Sequence, residues 1–309
     1  MDLPSTVSVE RLVGRAMAPT GAVRDWLAGE LRQRVVGDSA PTRAAELFET
    51  EGPRWFDDDA PIRRVHGDAS MFVGGLRALL LQALHPLAMA GVAGHSNYRT
   101  DPWGRLQRTA DFLAATTFGP AAEAERAVER VRSVHARVTG VTADGRAYSA
   151  DDPHLLRWVH VAELESFLVA HDHYGEEPLT GDERDRYVAE SAVIARALGV
   201  PAPPESERAL RDQLRAFRPE LRGTPEAREA TRYLLVQPPL PLAARPAYGM
   251  IALSAVALLP RWARLPLRLP YLPVTELLAL RPAGNAVTRT IRWAMTPGAP
   301  RPHDLGATG

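Results

Sequence analysis

Histidine and carboxylate side chains recur within apolar helical segments of this chain, a combination suited to holding a metal centre. Four histidines, His85, His95, His135 and His160, fall in or beside such segments, and Glu163 follows His160 by one helical turn. The neutral imidazole is the commonest side-chain metal ligand in proteins. Because several predicted helices each direct a histidine towards the same core, we predict an iron site between them.

A second polar group occupies one face of the helix predicted over residues 102–118. Arg105, Arg108, Thr109 and Phe112 are spaced at i, i+3, i+4 and i+7, so they share that face. Two guanidinium groups and a hydroxyl beside an aromatic ring suit an anionic or strongly polar ligand.

The absence of cysteine leaves two kinds of iron site. Haem iron can be held by a single neutral imidazole, while arginines neutralise the propionates. A nonhaem site needs several ligands on facing helices, here His85, His95, His160 and Glu163. Di-iron bundles carry Glu-x-x-His, which occurs here only reversed, from His160 to Glu163. In a third interpretation the histidines are buried structural residues of a non-catalytic helical binding protein.

Other functional classes lack their signatures. Basic and acidic residues balance at 37 each, so no net field favours nucleic acid. The chain has no lysine and therefore no Walker A motif, and it has neither Gly-x-Ser-x-Gly nor Gly-x-Gly-x-x-Gly. Its longest apolar run, residues 247–260, is shorter than the roughly 20 residues of a spanning helix. We therefore expect no spanning segment and a cytoplasmic location.

Helical periodicity and capping signals predict an all-α fold: one multi-helix domain whose core helices surround a cofactor pocket. Arg77, Leu81 and His85 share one helical stripe, and Pro86 predicts a kink or break beside His85. Asp101-Pro102, Asp151 or Asp152 before Pro153, and the Thr180/Glu183 capping box predict helix starts. We expect arm helices in residues 1–60, the main helical domain in residues 61–296 and a disordered tail in residues 297–309.

Five segments carry a recognisable set of motifs: GGLRALLLQALHP, GVAGHSNYRTDPWGRLQRT, VRSVHARVTG, YSADDPHLLRWVH and LTGDERDRYVAE. They resemble the family of MpaB-type oxygenases and the catalytic domain of latex clearing protein, the rubber oxygenase. The likeness covers residues 70–195, and the DP-x-G-R-x-x-x-T element is its most specific part. The resemblance implies a mainly helical, b-type haem protein that uses dioxygen.

The same resemblance implies roles for individual residues. The family's arginine and threonine near the haem match Arg105 and Thr109, and its proximal haem ligand, in V-R-x-x-H-A-x-V, matches His135. His160, in the WVH element of the shorter MpaB-type branch, is the second choice. Rubber oxygenases carry a lysine immediately before the threonine, implicated as a distal base. Here that residue is Arg108, which stays protonated and is a poor base.

We therefore expect a haem b-dependent oxygenase or oxidase acting on a small, largely apolar substrate with dioxygen. His135 would hold the iron, Arg105 would neutralise a propionate, Thr109 would hydrogen-bond nearby, and Arg108 would line the distal side. The alternatives are a nonhaem iron oxidase with histidine and glutamate ligands and a non-catalytic binding protein. The substrate's identity, the electron donor and the oligomeric state have no signature in the sequence.

Overall fold

Helices dominate the structure, as the sequence predicts. The computed structural model describes Gly29, residues 40–96 and residues 99–295. The α-helices, in chain order, are α1 (Ala40–Phe48), α2 (Pro61–Gly67), α3 (Met71–Gln82), α4 (Pro86–His95), α5 (Pro102–Phe118), α6 (Ala121–His135), α7 (Pro153–Tyr174), α8 (Gly181–Ala197), α9 (Glu207–Phe217), α10 (Pro225–Val236), α11 (Arg245–Leu258), α12 (Arg261–Arg264), α13 (Pro273–Thr275) and α14 (Arg281–Met295).

The remaining regular elements are short. Strands β1 (Thr139–Val141) and β2 (Ala147–Ser149) pair antiparallel, with Gly140 opposite Tyr148. Single 3₁₀ turns cover Arg218–Glu220 and Leu242–Ala244, and a π-helical turn, Glu276–Leu280, joins α13 to α14. The sequence did not predict the hairpin, because its three-residue strands are too short to show alternation in the turn-rich segment between α6 and α7.

The longest helix, α7, packs closely against α3. A Cβ atom on Gly74 of α3 would lie 3.0 Å from Phe167 Cδ1 and 3.2 Å from Ala170 Cβ, so the two backbones approach where glycine allows it. Along the same contact, Arg77 is buried and donates to Glu165 and Ser166 of α7. Its Nε also donates to the Leu258 carbonyl at 3.0 Å, which ties α11 to the pair.

The chain turns sharply after α3, as Pro86 predicts. Helices α3 and α4 meet at an angle of 106°. His85 occupies the N-cap of α4 with an extended backbone, and Pro86 starts that helix. No single helix in the described part of the chain is long and apolar enough to span a membrane, and α3 and α4 satisfy those criteria only as a bent pair.

The predicted capping signals are confirmed. Asp101 accepts a hydrogen bond from the Gly104 amide at 2.9 Å, and Asp152 accepts one from the His154 amide at 2.8 Å. Thr180 and Glu183 form the reciprocal capping box at the start of α8. These side chains satisfy amides that have no partner inside the helix, which is why short local motifs fix where α5, α7 and α8 begin.

The sequence predicts a helix from Ala121 to Val138 on the apolar stripe Ala124, Val128, Val131, Val134 and Val138, but the observed helix α6 is shorter. It ends at His135 rather than at Val138, and Val134 is 49% exposed. The Val138 amide donates to the His135 carbonyl and the Ala150 amide donates to the Val138 carbonyl, so this segment leaves the helix to meet the hairpin. The prediction that the stripe of α6 faces the core along its whole length was therefore wrong at its C-terminal end.

The predicted boundaries at both ends of the chain lie largely outside the described residues. Of the arm predicted for residues 1–60, α1 is described, and Arg43 anchors it through hydrogen bonds to Asp111 of α5 and Glu123 of α6. Residues 1–39 apart from Gly29, and the tail predicted for residues 297–309, fall outside the described part.

Two adjacent glycines of α3 provide a test of the close contact with α7. We expect Gly74→Ala to lower the free energy of unfolding by about 1 kcal/mol or more, because the new methyl group meets the Phe167 ring and backbone. Gly75, which has open space around a built Cβ, is the matched control, and Gly75→Ala should be stabilising by about 0.5–1 kcal/mol. Urea denaturation measures both, and equal effects would contradict the close packing.

Candidate functional site

The face of α5 predicted to hold Arg105, Arg108 and Thr109 is only partly enclosed. Arg105 is half-buried, and its Nη1 donates to Ser96 Oγ at 2.8 Å. Arg108 is exposed and pairs with the N-cap carboxylate of Asp101 at 3.2 Å. Thr109 is also exposed and donates to the Arg105 carbonyl at 3.0 Å. Of this group, Arg105 is therefore the residue that points towards the protein interior.

His135 is the last residue of α6 and is half-buried. Burial lowers its pKa below the ordinary value, although the nearby charge of Asp151 opposes that shift. No hydrogen bond joins its ring to another residue of the described chain. The imidazole is therefore neutral at physiological pH, with one nitrogen lone pair available to a ligand.

His160 and Glu163 lie one turn apart on α7. The Nε2 atom of His160 is buried without a hydrogen-bond partner in the described structure, and burial lowers the pKa of this histidine to about 4. Glu163 is partly accessible, yet burial raises its pKa to about 7. A buried imidazole with an unused nitrogen and a carboxyl that titrates near neutrality are both typical of functional sites.

Three residues that the sequence analysis missed form a polar group near Glu163. His66 of α2 has Nδ1 at 2.8 Å from Thr117 Oγ1 of α5 and Nε2 at 3.4 Å from the Tyr187 hydroxyl of α8. Burial lowers the pKa of His66 to about 3, so the ring is neutral. Burial and the nearby charge of Glu163 raise the pKa of Tyr187 well above its usual range. Side chains from four helices thus meet around this group.

Apolar side chains flank these polar residues on three helices. Helix α4 is almost entirely apolar, yet Met89 is its one fully buried residue within the described structure. The partly buried residues that pack against the main core here come from α4 (Ala88 and Val92), from α5 (Phe112 and Leu113) and from α7 (Val159). A partly buried apolar helix of this kind provides a wall suited to an apolar ligand.

Among the described residues, His85 is the one member of the predicted nonhaem ligand set that belongs to a compact group of possible metal ligands. No hydrogen bond or ion pair of the described chain joins His85, His95, His160 and Glu163 to one another. His95 lies at the exposed end of α4 with its ring 6.1 Å from that of Tyr148. His85 instead meets two residues that the sequence analysis did not select, His154 and Glu220, within a compact group of possible metal ligands.

Arg77, another sequence candidate, is committed to packing. Its guanidinium is 1% exposed and is hydrogen-bonded to Glu165, to Ser166 and to the Leu258 carbonyl. These bonds leave it no role towards a ligand, and it acts by holding α7 in place.

A surface depression of about 390 Å³ lies away from these groups. It is bounded by α1, the loop before α2 and the start of α6, and Glu46, Pro53 and Arg126 are among its lining residues. Since it contains no predicted site residue, we place the candidate site at the helices α4 to α7 and not in this depression.

The comparisons with known proteins identify a family. Residues 63–293 match the family described as "ER-bound oxygenase mpaB/B'/Rubber oxygenase, catalytic domain". The matched range includes every candidate site residue named above. No curated protein and no solved structure matches the chain.

The raised pKa of Glu163 predicts a pH-dependent stability. The folded protein holds this proton up to about pH 7, whereas an unfolded glutamate releases it near its ordinary value of 4.5, so stability falls as pH rises between these values. Glu163→Gln should therefore raise the free energy of unfolding by about 3 kcal/mol at pH 8 and change it little at pH 4.

Urea denaturation at the two pH values measures this difference. Glu125→Gln, at an exposed position of α6, is the control and should have no pH-dependent effect. A Glu163→Gln effect that is the same at pH 4 and pH 8 would show that the carboxyl is not desolvated.

Proposed function

We propose a haem b-dependent activity for this chain, which belongs to the oxygenase family of MpaB and rubber oxygenase catalytic domains. The family relationship makes the chain an oxygenase family member. The haem, the ligand and the substrate class are our proposals. They rest above all on one observation. Helices α6 and α7 carry the neutral imidazoles of His135 and His160, and each has a ring nitrogen that makes no hydrogen bond within the described structure.

The residues present fit the requirements of a haem. Haem iron takes a neutral imidazole, its propionates take arginine, and its macrocycle takes apolar walls. His135 and His160 are neutral because burial lowers the pKa of both. Arg105 is half-buried on α5, and α4 has an apolar surface beside it. Each requirement is therefore met by at least one residue of the candidate site.

We assign His135 as the iron ligand and His160 as the second choice. His135 matches the family's proximal histidine motif, and it is half-buried at the end of α6. Arg105 would neutralise a propionate. Thr109 would hydrogen-bond near the haem, and its hydroxyl would then exchange the Arg105 carbonyl for the new partner.

Bound haem would supply the activation of dioxygen, and the chain's own residues would handle protons. Glu163, with a pKa of about 7, exists in both protonation states near neutral pH. The Tyr187 hydroxyl lies close to it and is kept protonated by burial. We propose that Glu163 accepts or donates the proton, the role that the resemblance gives to a lysine in rubber oxygenases.

Arg108 is unsuited to replace that lysine as a base. Its guanidinium stays protonated, and it is exposed and paired with Asp101. We therefore propose that Arg108 orients a polar or anionic group of the substrate at the mouth of the site. The apolar residues of α4 and α5 support a substrate that is otherwise small and largely apolar. Product analysis with ¹⁸O-labelled dioxygen distinguishes insertion of oxygen from dehydrogenation.

The visible spectrum of the purified protein tests the cofactor and its ligand. We expect a Soret band in the unchanged protein and its loss or displacement in His135→Ala. His173→Ala is the control, because His173 is exposed on α7 and bonds only to the Val169 carbonyl. If His160→Ala rather than His135→Ala removes the band, His160 is the ligand. Stoichiometric iron without a Soret band would overturn the haem proposal in favour of nonhaem iron.

Arg105→Ala tests the assignment of the propionate partner. Loss of one charge-assisted hydrogen bond of about 1.4 kcal/mol should speed haem dissociation about tenfold. Transfer of haem to excess apomyoglobin measures this rate. Arg126→Ala, which removes an exposed arginine of α6 that pairs with Glu123, is the control. Equal rates in the two variants would contradict the assignment.

A further inference from the structure

Three possible metal ligands from separate elements meet at the first turn of α7. His85 is the residue at the bend between α3 and α4, His154 is the second residue of α7, and Glu220 ends the 3₁₀ turn after α9. One donor atom from each residue lies within 4.8 Å of the others. Sequence separations of 69 and 66 residues hide this group from motif analysis.

The spacing of these atoms suits a small cation. His85 Nε2 lies 3.3 Å from Glu220 Oε2, and His154 Nε2 lies 2.8 Å from the same oxygen. Ligands bonded to a tetrahedral Zn²⁺ ion at about 2.0–2.2 Å are separated by about 3.3 Å. Small rotations of the His154 and Glu220 side chains, which are about half exposed, would accommodate the ion.

The surroundings hold the ligands in place before any ion binds. The His154 ring lies 4.8 Å from that of Phe217, and Phe217 packs on Trp158, which also faces the His85 ring. The Arg222 amide donates to the Leu84 carbonyl at 2.8 Å. This bond fixes the segment that follows Glu220 against the bend at His85. Such support lowers the entropy lost when the ligands are ordered around an ion.

The protonation states also suit a metal. Burial lowers the pKa of His85, although Glu220 opposes the shift, so its imidazole is neutral. Burial alone would raise the pKa of Glu220, but hydrogen bonds with His154 and His85 outweigh it and lower the pKa, so the carboxylate is ionised. His85 Nε2 already faces the Glu220 carboxylate, so it is the nitrogen that an ion bound at this group would take.

We propose that His85, His154 and Glu220 bind one divalent first-row transition-metal ion of the Zn²⁺ class, with a fourth position open to solvent. Two imidazoles and one carboxylate are borderline ligands, which favour such ions over Mg²⁺ or Ca²⁺. The ion joins the α3–α4 bend, the start of α7 and the end of α9. It shares no ligand with the proposed haem site, so it stabilises the fold independently of haem.

Zinc titration of the purified full-length protein, after dialysis against EDTA, tests this site. We expect one Zn²⁺ per chain by isothermal titration calorimetry and a higher melting temperature with saturating Zn²⁺. His154→Ala and Glu220→Gln should each weaken binding at least tenfold. Both positions are about half exposed, so the variants should fold, and circular dichroism checks this. His173→Ala removes a surface histidine from the other end of α7 and should bind like the unchanged protein.

Cobalt gives a second measurement at the same site. Co²⁺ should produce ligand-field absorption bands in the difference spectrum of the unchanged protein that are absent in His154→Ala. Failure to bind one equivalent of Zn²⁺, or equal affinity in the unchanged protein and both variants, overturns the proposal. Soret absorbance recorded on the same samples separates this result from the haem proposal, since loss of one does not require loss of the other.

Discussion

The buried contact of Arg77 with Glu165 is the constraint on which the position of the candidate site depends. A guanidinium removed from water is costly unless its donors are satisfied, and here Glu165, Ser166 and the Leu258 carbonyl satisfy them. The bonds fix the rotation and depth of α7 against α3 and α11. Because α7 carries His154, His160 and Glu163, this contact decides where each of those side chains points.

The bend after α3 divides the surroundings of α7 into two chemically different sides. On one side Ser96, at the end of the apolar α4, accepts a hydrogen bond from Arg105, and these apolar and cationic groups suit a large organic cofactor. On the other side the bend brings His85 to His154 and Glu220, which suits a small cation. A single proline-directed turn of 106° thus produces two kinds of binding environment.

Burial dominates the electrostatics of the candidate site. It lowers the pKa of His135, His160 and His66, which keeps their imidazoles neutral, and it raises the pKa of Glu163 to about 7. Neutral imidazoles are iron ligands, whereas imidazolium ions are not. The stability lost by desolvating Glu163 is the cost of a carboxyl able to exchange a proton at neutral pH.

The sequence by itself determined the helices, their capped starts at Asp101, Asp152 and Thr180, the break at Pro86 and the family, because these depend on neighbours within about one turn or on contiguous motifs. It did not determine which side chains meet. Helical spacing put Arg105 and Arg108 on one face, but only packing against distant segments made the first half-buried and left the second exposed. Likewise His66, Tyr187 and Glu220 carry no local signal, since their partners lie 51 to 135 residues away and are chosen by tertiary structure alone.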